Sequence, residues 1–212
     1  MNLHEIISTE QDPKLNQKLQ KFIAKNIEEF KKVYHSYEGN YLGAISVAET
    51  FWLFYLIKSL KPRQIIESGT FYGYSLYFIS KAVNWECDIL SFDIDQSKSN
   101  FPKNVKRFEF DWTYHKNIKK GKDTLVFFDD HIDHDKRLLE AIDNDQQHIL
   151  FHDNYLTTKH SHKPIRFCSL HDANLCYTFP ALYSDPIFTD TSKNIQTYRW
   201  LTYIERPTKE KT

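Results

Sequence analysis

The sequence has 212 residues, 41% of them hydrophobic, and its 28 basic and 28 acidic side chains give a formal net charge of zero. This balance gives no reason to expect nucleic acid or an anionic membrane as a partner, and the apolar share is enough for a sizeable core. Three cysteines without Cys-x-x-Cys spacing argue against a disulfide framework and favour a reducing compartment, so we expect a cytoplasmic protein.

The N-terminal residues predict a helical extension. Asp12-Pro13 is a helix-start signal, with Asp12 as N-cap and Pro13 in the first turn. From Lys14 to Tyr34, apolar residues recur at helical spacing with lysines and glutamates between them. We therefore expect residues 1–43 to form a helical extension that packs on an α/β domain over residues 44–212.

A second helix is predicted over residues 44–60, and Lys61-Pro62 directly after it ends the helix. Its most apolar run, over residues 44–57, is interrupted by Glu49 and is shorter than the ~20 residues of a membrane span. We therefore expect this helix to be buried in the protein rather than in a membrane.

After Pro62, short apolar runs alternate with helical segments, which predicts a mostly parallel sheet. The elements predicted in this part are strands over 64–68, 88–92, 107–110, 124–128 and 148–151 and helices over 73–83 and 133–143. Two further strands, 186–189 and 196–205, are predicted as a hairpin around a polar turn at 190–194, and the irregular residues 155–186 as loops and a lid. Together they predict an α/β, Rossmann-like fold: a seven-stranded, mostly parallel sheet with an antiparallel C-terminal hairpin and helices on both faces.

Two of the five glycines, Gly69 and Gly73, follow the first predicted strand. A glycine at a strand end allows a sharp turn with φ > 0, and one at the start of the next helix lets a ligand or a neighbouring strand come close. Their Gly-x-x-x-Gly spacing does not match the Gly-x-Gly-x-x-Gly of dinucleotide enzymes, and no Gly-Lys-Ser/Thr is present to hold a triphosphate. The turn therefore favours a nucleoside cofactor over a nucleotide.

Acidic residues follow each of the predicted strands two to five, namely Asp93, Asp111, Asp129-Asp130 and Asp153. Open α/β sheets bind ligands just beyond the carboxyl ends of their strands. We therefore expect a ligand site along this edge of the sheet.

Residues 66–75 carry an acidic residue before a glycine turn and then Gly-Tyr-Ser, and residues 92–95 read Phe-Asp-Ile-Asp. These segments resemble the class I S-adenosylmethionine-dependent methyltransferases, in particular the metal-dependent O-methyltransferases of the catechol and caffeoyl-CoA type; the chain is also similar to cephalosporin-hydroxylase-like proteins. The resemblance implies S-adenosylmethionine as cofactor, with Asp93 accepting hydrogen bonds from the ribose hydroxyls. The cofactor-binding residues that it implies are Glu67, Gly69, Thr70, Gly73, Ser75, Asp93, Asp111 and Trp112.

The same resemblance implies a divalent cation, Mg²⁺, held by Asp130 after strand four and by Asp153 and Asn154 after strand five. Hard oxygen ligands suit Mg²⁺, which can clamp adjacent hydroxyl groups of a small-molecule substrate and favour their deprotonation. The lysine base that catechol-type members carry three residues after the strand-four aspartate is absent, and nearby histidines are substitutes. The predicted catalytic residues are His131, Asp133 and His134.

Two other functions stay open. The segment from Asp129 to His134 differs in one residue from the His-x-His-x-Asp-His motif of metallo-β-lactamase-like hydrolases, which bind Zn²⁺ or Fe, and eight of the ten histidines lie between His115 and His171. A relative that binds the cofactor without turnover is favoured by the missing lysine. We expect a small-molecule substrate and neither nucleic acid nor membrane as partner, and the sequence leaves open whether the chain forms a homodimer.

Overall fold

The computed structural model describes residues 2–9, 16–98, 102–153, 173–180, 182, 185–189 and 201–207. Its strands in these ranges are β1 (Gln64–Ser68), β2 (Asp88–Phe92), β3 (Val105–Phe108), β4 (Gly121–Phe128), β5 (Gln146–Phe151), β6 (Leu175–Thr178) and β7 (Thr202–Glu205). Its α-helices there are α1 (Leu3–Thr9), α2 (Gln17–His35), α3 (Val47–Leu60), α4 (Tyr74–Ala82) and α5 (His134–Asp143). Short 3₁₀ helices cover Trp112–Tyr114 and Pro186–Thr189.

These strands form one sheet in the order β3-β2-β1-β4-β5-β7-β6. Strands β1 to β5 pair in parallel, and β7 runs antiparallel to both β5 and β6. The predicted fold class is thereby confirmed. The strand order reverses between β1 and β4, and the crevice at such a switch point is where open α/β sheets bind ligands.

The strand bounds follow the apolar runs closely in the middle of the sheet. β1 and β2 have the predicted bounds, β3 lies slightly earlier in the chain, and β4 and β5 begin earlier than predicted. The added residues are polar, such as Lys122 and Gln146, so an apolar pattern does not mark them. α4 and α5 begin one residue later than predicted because Gly73 and Asp133 are their N-caps.

The N-terminal helices differ from the prediction at their start. Helix α2 begins at Gln17, where the Asn16 side chain accepts a hydrogen bond from Leu19 N–H at 2.7 Å; the predicted cap, Asp12-Pro13, lies outside the described residues. Helix α1 was not predicted, because its few buried residues, Leu3, Ile6 and Ile7, are too short a pattern to stand out. They join the hydrophobic cluster on one face of the sheet, and the domain boundary at residue 43 stays a prediction.

Helix α3 is the central helix of the core. Its N-terminus carries a capping box: Ser46 Oγ accepts from Glu49 N–H, and the Glu49 carboxylate accepts from Ser46 N–H. This reciprocal cap fixes the helix start at Val47 instead of the predicted residue 44. In the part of the chain that the structure describes, no helix combines the length and apolarity that crossing a membrane requires.

The C-terminal pair of antiparallel strands is present, but the prediction of its first strand was wrong. Residues 186–189 form a 3₁₀ helix, because the Asp185 side chain accepts a hydrogen bond from Ile187 N–H at 3.0 Å and turns the chain. The strand beside β7 is instead β6, with Leu175 opposite Glu205. The predicted turn at 190–194 and residues 155–172 of the predicted lid lie outside the described residues.

Candidate functional site

A cavity of about 460 Å³ lies at the carboxyl edge of the sheet. Its wall is built from the loops that follow β1, β2, β3 and β4 and from residues 42–45 before α3. Four exposed apolar side chains belong to this wall, namely Leu42, Phe71, Ile94 and Phe110. The cavity therefore combines polar strand ends with an apolar lining, and it lies where the strand order reverses.

Gly69 is required at its position for two reasons. Its φ is +92°, a conformation that residues with a Cβ rarely adopt. A Cβ built there would lie 2.3 Å from the backbone oxygen of Asp129, at the end of β4. The prediction of a positive φ at Gly69 is confirmed, and Gly73 also has a positive φ, +82°. A close approach of a ligand or a neighbouring strand was predicted at Gly73, and the structure shows a close approach of the neighbouring strand at Gly69.

Asp93 connects the end of β2 to the glycine turn. Its Oδ2 accepts hydrogen bonds from Thr70 N–H at 2.8 Å and Phe71 N–H at 3.0 Å, and its Oδ1 accepts from Asp95 N–H at 3.2 Å. An ionised carboxylate has about four acceptor sites, so one remains for a ligand hydroxyl. Because Asp93 also lines the cavity, it orders the turn and presents an acceptor to a ligand at once.

Glu67 lies beneath the turn and is not among the described residues that line the cavity, so its role as a cofactor contact stays a prediction. Its side chain is fully buried and accepts hydrogen bonds from Ser75 Oγ–H at 2.5 Å and Thr70 Oγ1–H at 3.2 Å. Burial raises the pKa of Glu67 to about 8, and the nearby Asp129 adds to the rise, while the bond from Ser75 opposes it. Glu67 therefore supports the loop from below, while Thr70 and Ser75 themselves line the cavity.

We expect Glu67→Gln to remove a loss of stability that the wild type shows as pH rises. In the unfolded chain Glu67 ionises near its ordinary value of 4.5, whereas folding holds the proton up to about pH 8. The wild type therefore loses free energy of unfolding between these values, at up to about 1.4 kcal/mol per pH unit for one group. Denaturant unfolding at several pH values between 5 and 8 measures this slope. Glu86→Gln, at an exposed site, is the control, and an equal slope in Glu67→Gln and wild type would contradict the assignment.

Arg137 of α5 binds two of the carboxylates that were predicted to contact ligands, Asp111 and Asp130. Its Nε and Nη2 lie 2.8 and 2.6 Å from Asp130 Oδ2, and Nη2 lies 2.7 Å from Asp111 Oδ2. The pKa of Asp111 is lowered, because these bonds and those from Thr113 outweigh the effect of burial. Asp111 lines the cavity, whereas Trp112 is completely buried against Phe128 and is not among the described lining residues, so its cofactor contact stays a prediction.

A second charged cluster lies behind the cavity around His152. His152 Nδ1 lies 2.8 Å from Glu49 Oε1, and its Nε2 lies 3.0 Å from Asp153 Oδ1 and 3.6 Å from Asp129 Oδ1. Burial lowers the pKa of His152, but the three carboxylates outweigh burial and raise it to about 9. Neither Glu49 nor His152 was predicted, although one signal was visible: Glu49 is the acid that interrupts the apolar run of α3.

His131 is the predicted catalytic residue that reaches the cavity. Its side chain is 58% exposed, lines the cavity, and has Nδ1 3.9 Å from Oδ2 of the buried Asp153. Both residues have positive φ, 56° for His131 and 57° for Asp153, which is uncommon for residues other than glycine. Such strain concentrates at functional sites, so it supports the interpretation of this pair as part of the site.

Asp133 and His134 are not among the described residues of the cavity wall, and their catalytic roles stay predictions. Asp133 is the N-cap of α5, where its Oδ1 accepts from Asp135 N–H at 3.0 Å and Lys136 N–H at 3.3 Å. His134 is buried, with its ring 5.0 Å from that of Phe151. The helix start therefore explains Asp133, and burial against Phe151 explains His134. Neither residue belongs to the described lining of the cavity, where the hydrolase alternative would need them beside His131.

The predicted metal ligands do not fit a divalent ion in the arrangement that the structure shows. Asp130 Oδ2 already accepts from Arg137 and, at 2.6 Å, from Ser68 Oγ–H. Asp153 lies beside His152, and Asn154 lies outside the described residues. Within the described ranges, no three or more His, Cys, Asp or Glu side chains form a group that could hold a metal ion.

Solved structures share this fold at low sequence identity. The O-methyltransferase TomG from Streptomyces achromogenes, in complex with S-adenosylmethionine, has a TM-score of 0.55 and 13% identity over 77% of this chain and 82% of TomG. The methyltransferase PaMTH1 of Podospora anserina, bound to S-adenosylhomocysteine, has a TM-score of 0.51 and 12% identity over 93% of this chain and 97% of PaMTH1. These likenesses show the fold.

Another similar structure is cmcI with S-adenosylhomocysteine, at a TM-score of 0.42 and 19% identity over 53% of this chain. The chain covers 63% of the length of that protein, and 51% of cmcI in its form with Mg and S-adenosylmethionine. No curated protein sequence matches the chain.

The sequence itself matches a family model. The model describes the O-methyltransferase family and matches residues 8–159, which is more than half of the chain. That range contains the glycine turn, Asp93, His131 and the Arg137 cluster. The chain belongs to the O-methyltransferase family, and it has the class I fold of S-adenosylmethionine-dependent methyltransferases.

Proposed function

We propose that the chain transfers the methyl group of S-adenosylmethionine to a hydroxyl oxygen of a small molecule. The observation that carries the proposal is the cavity at the strand-order reversal, where Asp93 and the turn from Gly69 to Gly73 meet. The remaining acceptor site of Asp93 suits a ribose hydroxyl. Because the turn offers no lysine or glycine-rich amide cradle for phosphates, a nucleoside cofactor fits better than a nucleotide.

The electrostatics of the cavity suit a cationic ligand. Among the described residues, four carboxylates line it, those of Asp93, Asp111, Asp129 and Asp130, against one guanidinium, that of Arg137. When bound, S-adenosylmethionine supplies an electrophilic methyl group on a positively charged sulfur. An excess of negative charge in a partly enclosed site attracts such a cation, and the attraction weakens once the sulfur becomes neutral in the product.

The proton of the substrate hydroxyl is proposed to pass to His131. As the methyl carbon leaves sulfur and bonds to the substrate oxygen, that oxygen must lose its proton, and an imidazole in the cavity wall can accept it. The buried Asp153, at 3.9 Å from His131 Nδ1, helps to orient the ring. In this proposal His131 therefore accepts the proton, and Asp153 positions His131.

The apolar lining indicates the kind of substrate. Phe71 and Leu42 line the cavity and are 45% and 60% exposed. Their side chains are apolar, in contrast to the charged carboxylates at the strand ends. Burying such side chains against a ligand is favourable by roughly 25 cal/mol per Å² of apolar surface. We therefore propose a small molecule that carries its hydroxyl group on an apolar, ring-like body.

The test is calorimetric titration with S-adenosylmethionine and S-adenosylhomocysteine. We expect wild type to bind both, and Asp93→Ala to weaken binding by about tenfold or more, because a charged hydrogen bond is worth about 1.5–3 kcal/mol. Asp93→Asn keeps an acceptor for the turn and separates loss of the ribose contact from loosening of the loop. Asp95→Ala, which removes the exposed acid two residues away, is the control and should bind like wild type. Wild type that binds neither compound would overturn the proposal.

Turnover is measured as release of S-adenosylhomocysteine with a panel of mono- and dihydroxy aromatic acceptors. Methylated product identified by mass spectrometry would support O-methyl transfer. Tight cofactor binding with no product from any acceptor would instead favour the non-catalytic relative that the missing lysine suggests.

A further inference from the structure

Cationic side chains of the protein already hold the strand-end carboxylates. Arg137 uses all three nitrogens of its guanidinium: Nε and Nη2 for Asp130, Nη2 for Asp111, and Nη1 for Glu140 at 2.6 Å. Its side chain is only 2% exposed. Arg137 is therefore a fixed part of the site wall and not a mobile surface charge.

A divalent ion at Asp130 would have to compete with this arrangement. Oδ2 of Asp130 accepts from Ser68 Oγ–H as well as from Arg137, and Oδ1 accepts from Ile132 N–H at 3.2 Å. Drawing the carboxylate away would leave a buried guanidinium without one of its partners. Breaking a buried pair in this way lowers the affinity of a competing ion by roughly 10²–10³-fold.

Asp129 and Asp153, at the ends of β4 and β5, lie beside a second buried basic residue, His152. Asp153 Oδ1 and Asp129 Oδ1 are 3.0 and 3.6 Å from His152 Nε2. The two acids that the resemblance suggested as metal ligands are thus divided between two basic residues of the chain, Asp130 beside Arg137 and Asp153 beside His152.

We infer that Arg137 occupies the Asp130 carboxylate that a divalent cation would need and joins it to Asp111, so that this chain holds its strand ends together and binds its cofactor without such an ion. This inference rests on the proposed binding of S-adenosylmethionine. Arg137 is a positioning residue, because it joins the loop after β3, through Asp111, to the loop after β4, through Asp130. Ser68 at the end of β1 is bound to the same Asp130 carboxylate, so three strand ends at the cavity depend on one guanidinium.

The first test is titration of wild type with MgCl₂ and MnCl₂, and titration with S-adenosylmethionine in EDTA and in excess MgCl₂. We expect no saturable uptake of either metal, with cofactor present or absent, and the same cofactor affinity in both buffers. Saturable uptake of either metal by wild type, or cofactor binding that is lost in EDTA and restored by Mg²⁺, would overturn this inference while leaving the proposed function intact. Failure to bind the cofactor in either buffer would instead count against the proposed function itself.

The second test removes the guanidinium. Arg137→Met leaves the carboxylates of Asp111, Asp130 and Glu140 without their cation, so we expect this variant to take up Mn²⁺ where wild type does not. We also expect its affinity for S-adenosylmethionine to fall by about tenfold. Arg137→Lys keeps one positive charge and should not gain Mn²⁺ binding. Arg107→Met, at an exposed arginine of β3, is the matched control and should behave like wild type.

A purely structural role of Arg137 predicts a different result, namely lower stability without any gain of metal binding. That outcome in a folded Arg137→Met would overturn the inference. If Arg137→Met does not fold, the affinity of Asp130→Asn for S-adenosylmethionine is measured in EDTA and in MgCl₂ instead. An equal change in both buffers supports the pairing of Asp130 with Arg137. A change seen only with MgCl₂ contradicts this pairing.

Discussion

Replacing Gly69 with alanine is expected to destabilise the fold and abolish cofactor binding together. The added Cβ would lie 2.3 Å from Asp129 O and 2.6 Å from Asp130 N, both backbone atoms at the end of β4. Backbone atoms of a central strand cannot move aside as a flexible side chain can. Overlap of this kind, added to a φ of +92°, is expected to cost at least about 3 kcal/mol. Denaturant unfolding and calorimetric titration with S-adenosylmethionine measure the two effects.

Gly121→Ala is the matched control for that substitution. Gly121 also has a positive φ, +73°, but a Cβ built there has no atom within 4 Å. It should therefore cost only the strain of the backbone, about 1 kcal/mol, and leave cofactor binding unchanged. The difference between the two variants isolates the close approach of β1 and β4. Equal losses of stability would show that strain in φ alone explains the glycine.

Gly69 illustrates which properties of the turn can be predicted from the sequence and which cannot. A glycine after an apolar strand indicates a positive φ, because that is a property of the residue and its immediate neighbours. The need for bare space at Gly69 depends on which strand lies beside β1, and β4 is more than 50 residues away in the chain. Strand order therefore had to be known before the second reason for Gly69 could be recognised.

The acidic residues at the strand ends show the same difference between what the local sequence predicts and what depends on distant elements. Their meeting at one edge followed from the predicted parallel sheet, and the cavity lies at that edge. Their partners come from helices: Arg137 from the middle of α5, and Glu49, which contacts His152, from the first turn of α3. A carboxylate that binds a ligand and a carboxylate that binds a buried arginine look alike in sequence. The pairing of Asp130, a predicted metal ligand, with Arg137 therefore becomes visible only when the packing of α5 is known.

His131→Asn is expected to lower the rate of methyl transfer by about 10²–10⁴-fold, the usual contribution of a general base, with little change in cofactor affinity. Asparagine is chosen because it tolerates positive φ better than most residues, so the backbone at φ 56° is not strained by the change. Initial rates with the best acceptor of the aromatic panel, together with titration of S-adenosylmethionine, separate the chemical step from binding. A variant with wild-type turnover would show that another group takes the proton.

Two further variants locate the effect in the imidazole of His131. His35→Ala removes an exposed histidine at the end of α2, outside the cavity wall, and should leave turnover unchanged. His134→Phe keeps an aromatic ring against Phe151 and removes the second imidazole of the 129–134 segment. Because His134 is buried away from the cavity, its replacement should change stability and not the rate of the chemical step. A large loss of rate in His134→Phe with normal folding would mean that both histidines act on the substrate, and it would return the hydrolase-like arrangement to consideration.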